Sequence, residues 1–231
     1  MIEHLESSTT KYEDASKYES FADNYIFFPI SDLLVTPLRK IGLTPNNVTI
    51  LSSLFTLSTI YFLHINKIEY ACAMYFIGYL LDCVDGNMAR KYNMGSKYGM
   101  ALDMLSDQIT TIILLAYILL TKEFKNYWLL LVIIILMFLC SISVSIAEAF
   151  ASYKKTGTDN FYKNKEEELA GENAKIYKLY LHTNKISYNM YKTLFPNYNE
   201  EKLMKYISLL KEFGPGNANL FGIGVLYYLY T

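Results

Sequence analysis

Residues 126–147 read NYWLLLVIIILMFLCSISVSIA, 22 positions without an Asp, Glu, Lys or Arg. A bilayer core of about 30 Å is crossed by roughly 20 apolar residues in a helix, so this run predicts a transmembrane span. Four other stretches repeat the pattern. Residues 41–66 (IGLTPNNVTILSSLFTLSTIYFLHIN), 70–81 (YACAMYFIGYLL), 108–121 (QITTIILLAYILLT) and 213–231 are likewise free of charge. Together they predict helices over 47–65, 69–91, 97–121, 126–150 and 213–231. A soluble protein would need far more chain than 231 residues to surround so many apolar helices. The expected fold class is therefore all-α, a polytopic membrane helical bundle of five to six transmembrane helices.

Averages conceal this segregation. Mean hydropathy is only +0.15. The formal net charge is -1, with 52% hydrophobic, 16% aromatic and 19% charged residues. So few charges argue against a disordered or acidic-tail protein, and a net charge near zero against a nucleic-acid partner. Cys72, Cys83 and Cys140 lie in apolar stretches and are odd in number, which excludes a fully paired disulfide scaffold.

The basic residues predict an orientation. Stretches 1–46, 86–97 and 151–212 hold 4, 3 and 11 of the Lys and Arg, against 1 in 66–68 and 2 in 122–125. By the positive-inside rule the first three face the cytoplasm. Residues 21–40, FADNYIFFPISDLLVTPLRK, mix apolar clusters with charges and predict an N-terminal interfacial amphipathic helix, limited to about two turns by Pro29 and Pro37. Residues 151–212, rich in Tyr and Lys, predict a solvated helical insertion; a surface touching lipid headgroups is the alternative.

The chemistry concentrates in residues 82–107, DCVDGNMARKYNMGSKYGMALDMLSD. Ionisable groups at membrane depth are costly and usually functional. Asp82 and Asp85 share a helix face at i, i+3, and Asp103 and Asp107 share one at i, i+4 on the next helix. Gly86 and Ala89 continue the first face and Gly99 the second, leaving a notch beside the carboxylates. Four carboxylates in one small volume raise each other's pKa, and divalent cations resolve the conflict. Oxygen-only ligands suit Mg²⁺, Mn²⁺ or Ca²⁺ rather than zinc, and a pair of ions can share the four groups. His4, His64 and His182 are scattered, without ligand spacing. Arg90 beside the notch points to a phosphate substrate. A cation pathway would spread acidic groups through the bilayer depth; here they cluster toward one side.

The run Asp82-x2-Asp85-Gly86-x2-Ala89-Arg90-x8-Gly99-x3-Asp103-x3-Asp107 resembles the signature of the CDP-alcohol phosphotransferases at all its fixed positions, and Thr44-Pro45-Asn46 resembles the family's Pro-Asn element. The resemblance covers about residues 30–150. It implies a membrane enzyme of phospholipid synthesis that moves a phospho-alcohol group from a CDP-linked donor to an alcohol acceptor and releases CMP. By position, Asp82, Asp85, Asp103 and Asp107 would hold two divalent ions, Mg²⁺ or Mn²⁺, with Asp107 also the base for the acceptor hydroxyl. Gly86, Ala89 and Gly99 would border the nucleotide, Thr44 and Asn46 would reach it from the first span, and Arg90 and Lys97 would meet substrate phosphates. For Arg90 the alternative is a cytoplasmic-end anchor paired with a carboxylate, and Lys97 reads equally as a snorkelling lysine. The family has six spans, whereas the uncharged runs supply five.

Residues 95–108, GSKYGMALDMLSDQ, resemble phosphatidylinositol synthases, while TPNNVT at 44–49 resembles aminoalcohol phosphotransferases. The favoured reading is a CDP-diacylglycerol donor with a small polyol or polyol phosphate acceptor. The alternatives are transfer from CDP-choline or CDP-ethanolamine to diacylglycerol, and an inactive homologue that only binds nucleotide or lipid. The implied organisation is a cytoplasmic and interfacial segment 1–46, catalytic transmembrane helices 47–150, a cytoplasmic helical insertion 151–212 and a last transmembrane helix 213–231. The active site would face the cytoplasm from within the lipid bilayer, in a monomer or a homodimer.

Overall fold

The computed structural model describes residues 18–121, 127–196 and 199–231, and among them there are helices and no strands. The predicted terminal segment through residue 17, with His4, and the loop 122–125 lie outside the described residues. The helices are α1 (Phe28–Lys40), α2 (Pro45–His64), α3 (Ile68–Lys91), α4 (Lys97–Thr121), α5 (Tyr127–Thr156), α6 (Phe161–Glu168), α7 (Lys175–Leu194), α8 (Glu200–Leu210) and α9 (Pro215–Tyr230).

Local chemistry sets several of these boundaries. Thr44 caps α2: its hydroxyl accepts from the Asn47 N–H while the Asn47 side chain returns to the Thr44 N–H, with Pro45 opening the first turn. Asn66 and Asn93, just beyond α2 and α3, adopt left-handed φ values of 55° and 50°, a conformation Asn tolerates well.

One expectation fails at α1. The helix does not stop at Pro37 but runs through it to Lys40, with Pro29 in its first turn. Pro37 removes only the donor that would bond the Leu33 carbonyl, and Val35, fully buried among Val48, Val84 and Met88, holds the helix in place. Upstream, a π-helical turn at Asp23–Phe27 leads straight into α1. Phe21, Tyr25, Leu33 and Ile41 leave this segment exposed and apolar on one side.

The tightest helix pair is α2 against α3, running antiparallel. Gly78 is the point of closest approach: a Cβ there would collide with Thr56 Oγ1 and lie 3.1 Å from the Thr56 nitrogen. Ser52 donates to the Gly78 carbonyl at 2.9 Å. One heptad toward one end, Leu63 shares a buried cluster with Ala71. One heptad toward the other, Thr49 donates to Asp85 at 2.6 Å. The register thus repeats every seven residues, as packed helices crossing at a small angle require.

A second lock joins the chain's two ends. Asp23 is 1% exposed. Its carboxylate accepts from Ser20 Oγ at 2.7 Å, Tyr79 Oη at 2.6 Å and the Gly216 N–H at 3.0 Å. The last bond sets a negative charge at the N-terminus of α9, where the helix dipole favours it. Gly216 leaves room, since a Cβ would overlap the Asp23 side chain.

The charged segment 151–212 predicts a solvated insertion, yet its helices pack onto the bundle, α7 against α4 and α5, and α8 against α5. Tyr191, Leu203 and Ile207 are buried with Ile146 and Phe150, and the charges find partners: Lys165 lies 2.9 Å from Glu148 and Lys192 lies 2.8 Å from Asp159. On the outside, among the described residues, α4 and α5 are the two helices long and apolar enough to cross a membrane. Their outer faces expose Ile112, Leu120, Trp128, Ile134 and Phe138, an apolar surface suited to lipid.

The α2–α3 contact generates a test. Gly78→Ala should destabilise the protein in detergent by about 1–3 kcal/mol, as overpacking does. Adding Thr56→Ala should recover part of that loss, read as a coupling in thermal unfolding. Additive losses would show that this contact does not set the helix spacing.

Candidate active site

The close α2–α3 pair ends beside the start of α4, and there the predicted carboxylates meet. One carboxylate oxygen from each of Asp82, Asp85 and Asp103 lies within 4.8 Å of the others. Asp85 is buried and oriented by Thr49, whose hydroxyl also lies 3.2 Å from the Pro45 carbonyl. Asp82 Oδ1 is buried without a hydrogen-bond partner among the described residues. Three converging carboxylates, one of which carries a buried oxygen unmatched by any proton donor, fit a hard divalent cation. Asp107 is exposed toward the interior of the bundle, where it lines a cavity of about 920 Å³ together with Asp82.

That cavity runs between α2, α3, α4, α5, α7 and α9. Ile118, Ile133 and Leu136 line its apolar part, and Gln108, Glu148, Asn184 and Ser187 contribute polar groups. Asn184 donates to Met104 Sδ at 3.2 Å, which brings α7 to the level of Asp103 and Asp107 on α4.

The remaining predicted residues divide into two groups. Gly86 and Gly99 are close-approach positions. A Cβ on Gly86 would lie 3.2 Å from an Arg90 guanidinium nitrogen, so Arg90 folds back over this glycine. A Cβ on Gly99 would lie 2.7 Å from Asn46 Oδ1, so Asn46 of α2 sits directly against the first turn of α4. Ala89 is half-buried, one turn beyond Gly86. Thr44 and Lys97 are engaged elsewhere: Thr44 in the cap of α2, and Lys97 with Glu172 at 3.3 Å.

Sequence reasoning missed Thr49, Asn87 and the polar wall of α5 and α7. Thr49 was visible only as a polar residue on a buried apolar helix. Asn87, next to Gly86, donates to Asp32 and, at 3.3 Å, to Ser31, tying the site helix to α1. Glu148 and Asn184 stand 36 positions apart and carry no local spacing signal.

Comparison with known proteins bears on the family of the chain. A family model described as CDP-alcohol phosphatidyltransferase matches residues 42–177. Among curated proteins, the chain is 35% identical over 71 residues to a CDP-diacylglycerol–inositol 3-phosphatidyltransferase of Homo sapiens, covering 31% of this chain and 33% of that protein. It is 34% identical over 73 residues to an archaetidylinositol phosphate synthase of Pyrococcus horikoshii, covering 32% of this chain and 39% of that protein. The matched part thus spans well under half the length of these relatives. A solved phosphatidylinositol phosphate synthase of Mycobacterium tuberculosis, with CDP-DAG bound, is 19% identical, with 89% of this chain and 93% of that one covered at a TM-score of 0.37. The family match takes in more than half of the 231 residues and all four carboxylates, so the chain belongs to the CDP-alcohol phosphatidyltransferase family.

Proposed function

We propose that the chain is a membrane transferase that moves a phosphatidyl group from CDP-diacylglycerol to a hydroxyl of a small polyol, releasing CMP. The observation that carries this reading is the convergence of Asp82, Asp85 and Asp103 within 4.8 Å beside a large cavity walled in part by Asp107. The names of the inositol-type relatives favour the donor and the acceptor class.

Asp82, Asp85 and Asp103 hold Mg²⁺ or Mn²⁺, two ions when Asp107 serves as the fourth ligand. Bound there, such ions supply positive charge against the diphosphate of the donor. The rest is the work of this chain's own side chains. Thr49 fixes the Asp85 carboxylate. Arg90 over Gly86 offers a guanidinium to a phosphate, and Gly86 and Gly99 leave room for Arg90 and Asn46 to lie close to the helix surface, where with Ala89 they border the nucleotide, Thr44 standing at the edge in the cap of α2. Lys97 and Glu172 border the same end. Asp107 faces the cavity and takes the proton of the attacking hydroxyl. The acceptor oxygen bonds to the lipid-bearing phosphorus, the bond from that phosphorus to the CMP oxygen breaks, and CMP leaves.

In this reading α2, α3, α4, α5 and α9 span the bilayer and α1 lies along its cytoplasmic surface. The carboxylates sit near the cytoplasmic side, where a water-soluble partner meets the lipid donor.

CMP release from CDP-diacylglycerol should vanish on chelation and return with Mg²⁺ or Mn²⁺; release that persists after exhaustive chelation would sink the metal assignment. Asp107→Asn should lower kcat by about 10²-fold or more with donor KM little changed, the usual loss when a general base is removed. Undiminished turnover in membranes containing that variant would remove Asp107 from its role. Thr49→Val, which leaves all four carboxylates in place, should raise the Mg²⁺ concentration for half-maximal activity about tenfold, as expected when a ligand loses its orienting partner. An unchanged metal titration would show that Thr49 is not orienting Asp85.

A further inference from the structure

We infer that Asn219 on α9 and Tyr75 on α3 form the face that positions the acceptor alcohol for Asp107. This rests on the transferase reading above and adds residues that the carboxylate motif does not contain.

Asn219 is only 5% exposed, yet its Oδ1 has no hydrogen-bond partner among the described residues. Two positions earlier, Asn217 shows what a structural Asn in this helix does. Its Oδ1 accepts from the Ala22 N–H at 2.9 Å, and its Nδ2 donates to the carbonyl and the carboxylate of Glu212, both at 2.9 Å. A buried acceptor left unmatched costs stability, and a helix bundle in lipid has no bulk water to relieve it. The fold therefore gains nothing from the Asn219 oxygen, whose side chain lines the same cavity as Asp82 and Asp107.

Contacts on either side fix the level of Asn219. Three residues before it, the Gly216 N–H donates to Asp23, which also accepts from the Tyr79 hydroxyl. Three residues after it, Gly222 lies against Tyr75: a Cβ there would stand 3.0 Å from a ring carbon and 3.2 Å from the phenol oxygen. Asn219 thus sits between the levels of Tyr79 and Tyr75. Asp82 follows on the same stripe of α3, about 4.5 Å beyond Tyr79 at 1.5 Å per residue. Tyr75 lines the cavity as well, and its hydroxyl makes no hydrogen bond within the described residues.

An unmatched oxygen is satisfied by an O–H or N–H. The diacylglycerol part of the donor carries ester oxygens, which accept and cannot donate. The nucleotide carries donors, but in this reading it lies by Gly86, Gly99 and Asn46, on the far side of Asp82 from Asn219. The alcohol is the reactant that brings O–H groups to this level. Its attacking hydroxyl passes a proton to Asp107 as in the transfer above, while an O–H of the same molecule donates to Asn219. The Tyr75 phenol, about one turn away along α9, donates or accepts beside it. Both side chains are uncharged, so they work next to metal-bound carboxylates without altering the charge of that cluster.

The test uses the full chain with Mg²⁺ and CDP-diacylglycerol. The probe is whichever of inositol, glycerol, inositol 1-phosphate and glycerol 3-phosphate it turns over fastest by CMP release. Asn219→Leu should raise the KM of that alcohol about tenfold, the worth of one hydrogen bond, and leave the CDP-diacylglycerol KM unmoved. In detergent the same variant should melt no lower than the wild type, because an apolar side chain leaves no polar group unmatched there. A structural Asn gives the opposite pair of results, a lower Tm and no split between the two KM values. A variant that unfolds, an unchanged alcohol KM, or a donor KM that rises in its place overturns the assignment and leaves the transferase reading standing. Tyr75→Phe should raise the alcohol KM severalfold at unchanged donor KM, and an alcohol KM that stays put removes Tyr75 from the face. No metal-dependent CMP release with any of these alcohols overturns the transferase reading and the assignment with it.

Discussion

The contact of Gly78 with Thr56 governs much of this molecule. Between helices in lipid there is no hydrophobic drive to association, because the surrounding tails are as apolar as the side chains. Close approach must come from small residues that let backbones meet. Gly78 permits it, Ser52 adds a hydrogen bond to the Gly78 carbonyl, and Ala71 continues the small-residue face. With the register fixed there, Thr49 falls opposite Asp85 two turns away, and Asn46 at the start of α2 falls against Gly99 of α4. The site geometry is therefore a consequence of a packing decision made in the apolar part of the bundle.

That packing has an opponent. Two carboxylates about 4–5 Å apart repel by roughly 4 kcal/mol at an effective dielectric near 20, and three such groups converge here. Nothing in the carboxylates themselves favours the arrangement. It is imposed by the short connection from α3 to α4, by the α2 wedge and by the lock at Asp23, where Tyr79 of the site helix, Ser20 and the start of α9 share one carboxylate. Asp23 and Asp82 differ in how they are satisfied. Asp23 receives a donor from each of three partners and is structural, whereas Asp82 keeps a buried oxygen without one, beside two further carboxylates that could share a cation.

The motif was legible because helical spacing turns sequence distance into shared faces, so Asp82, Asp85, Gly86 and Ala89 fall on one stripe from sequence alone. Helix limits were legible too, since charge is excluded from the runs that became α2, α3, α4, α5 and α9. Other features lay beyond this kind of reading. Pro37 looks like a stop, but a helix anchored by Val35 tolerates one missing bond. The Asp23 lock joins residues 193 positions apart, and no periodicity reports such a pairing. The segment 151–212 keeps most of its lysines exposed, as expected, but its packing onto the bundle was not legible. Its lysines suggest a solvated surface, yet Lys165 and Lys192 are consumed by Glu148 and Asp159, while Tyr180, Asn184 and Tyr191 form a buried face of α7.

The shortage of apolar runs also takes on a different meaning. Five uncharged stretches in a six-span family suggest a gap at the rear of the cavity. In the structure α7 stands against α4 and α5 and supplies that wall with Asn184 and Ser187. Its 20 residues reach about 30 Å at 1.5 Å per residue, the length of a span without the composition of one. A fully apolar helix in that place would line this side of the cavity with hydrocarbon alone. A helix bordering a polar chamber near the membrane surface is free to carry amides, hydroxyls and lysines, provided that each charge finds a partner or water. The amphipathic character of α7 hid the helix from a hydropathy reading, and the same character gives the cavity its polar groups Asn184 and Ser187.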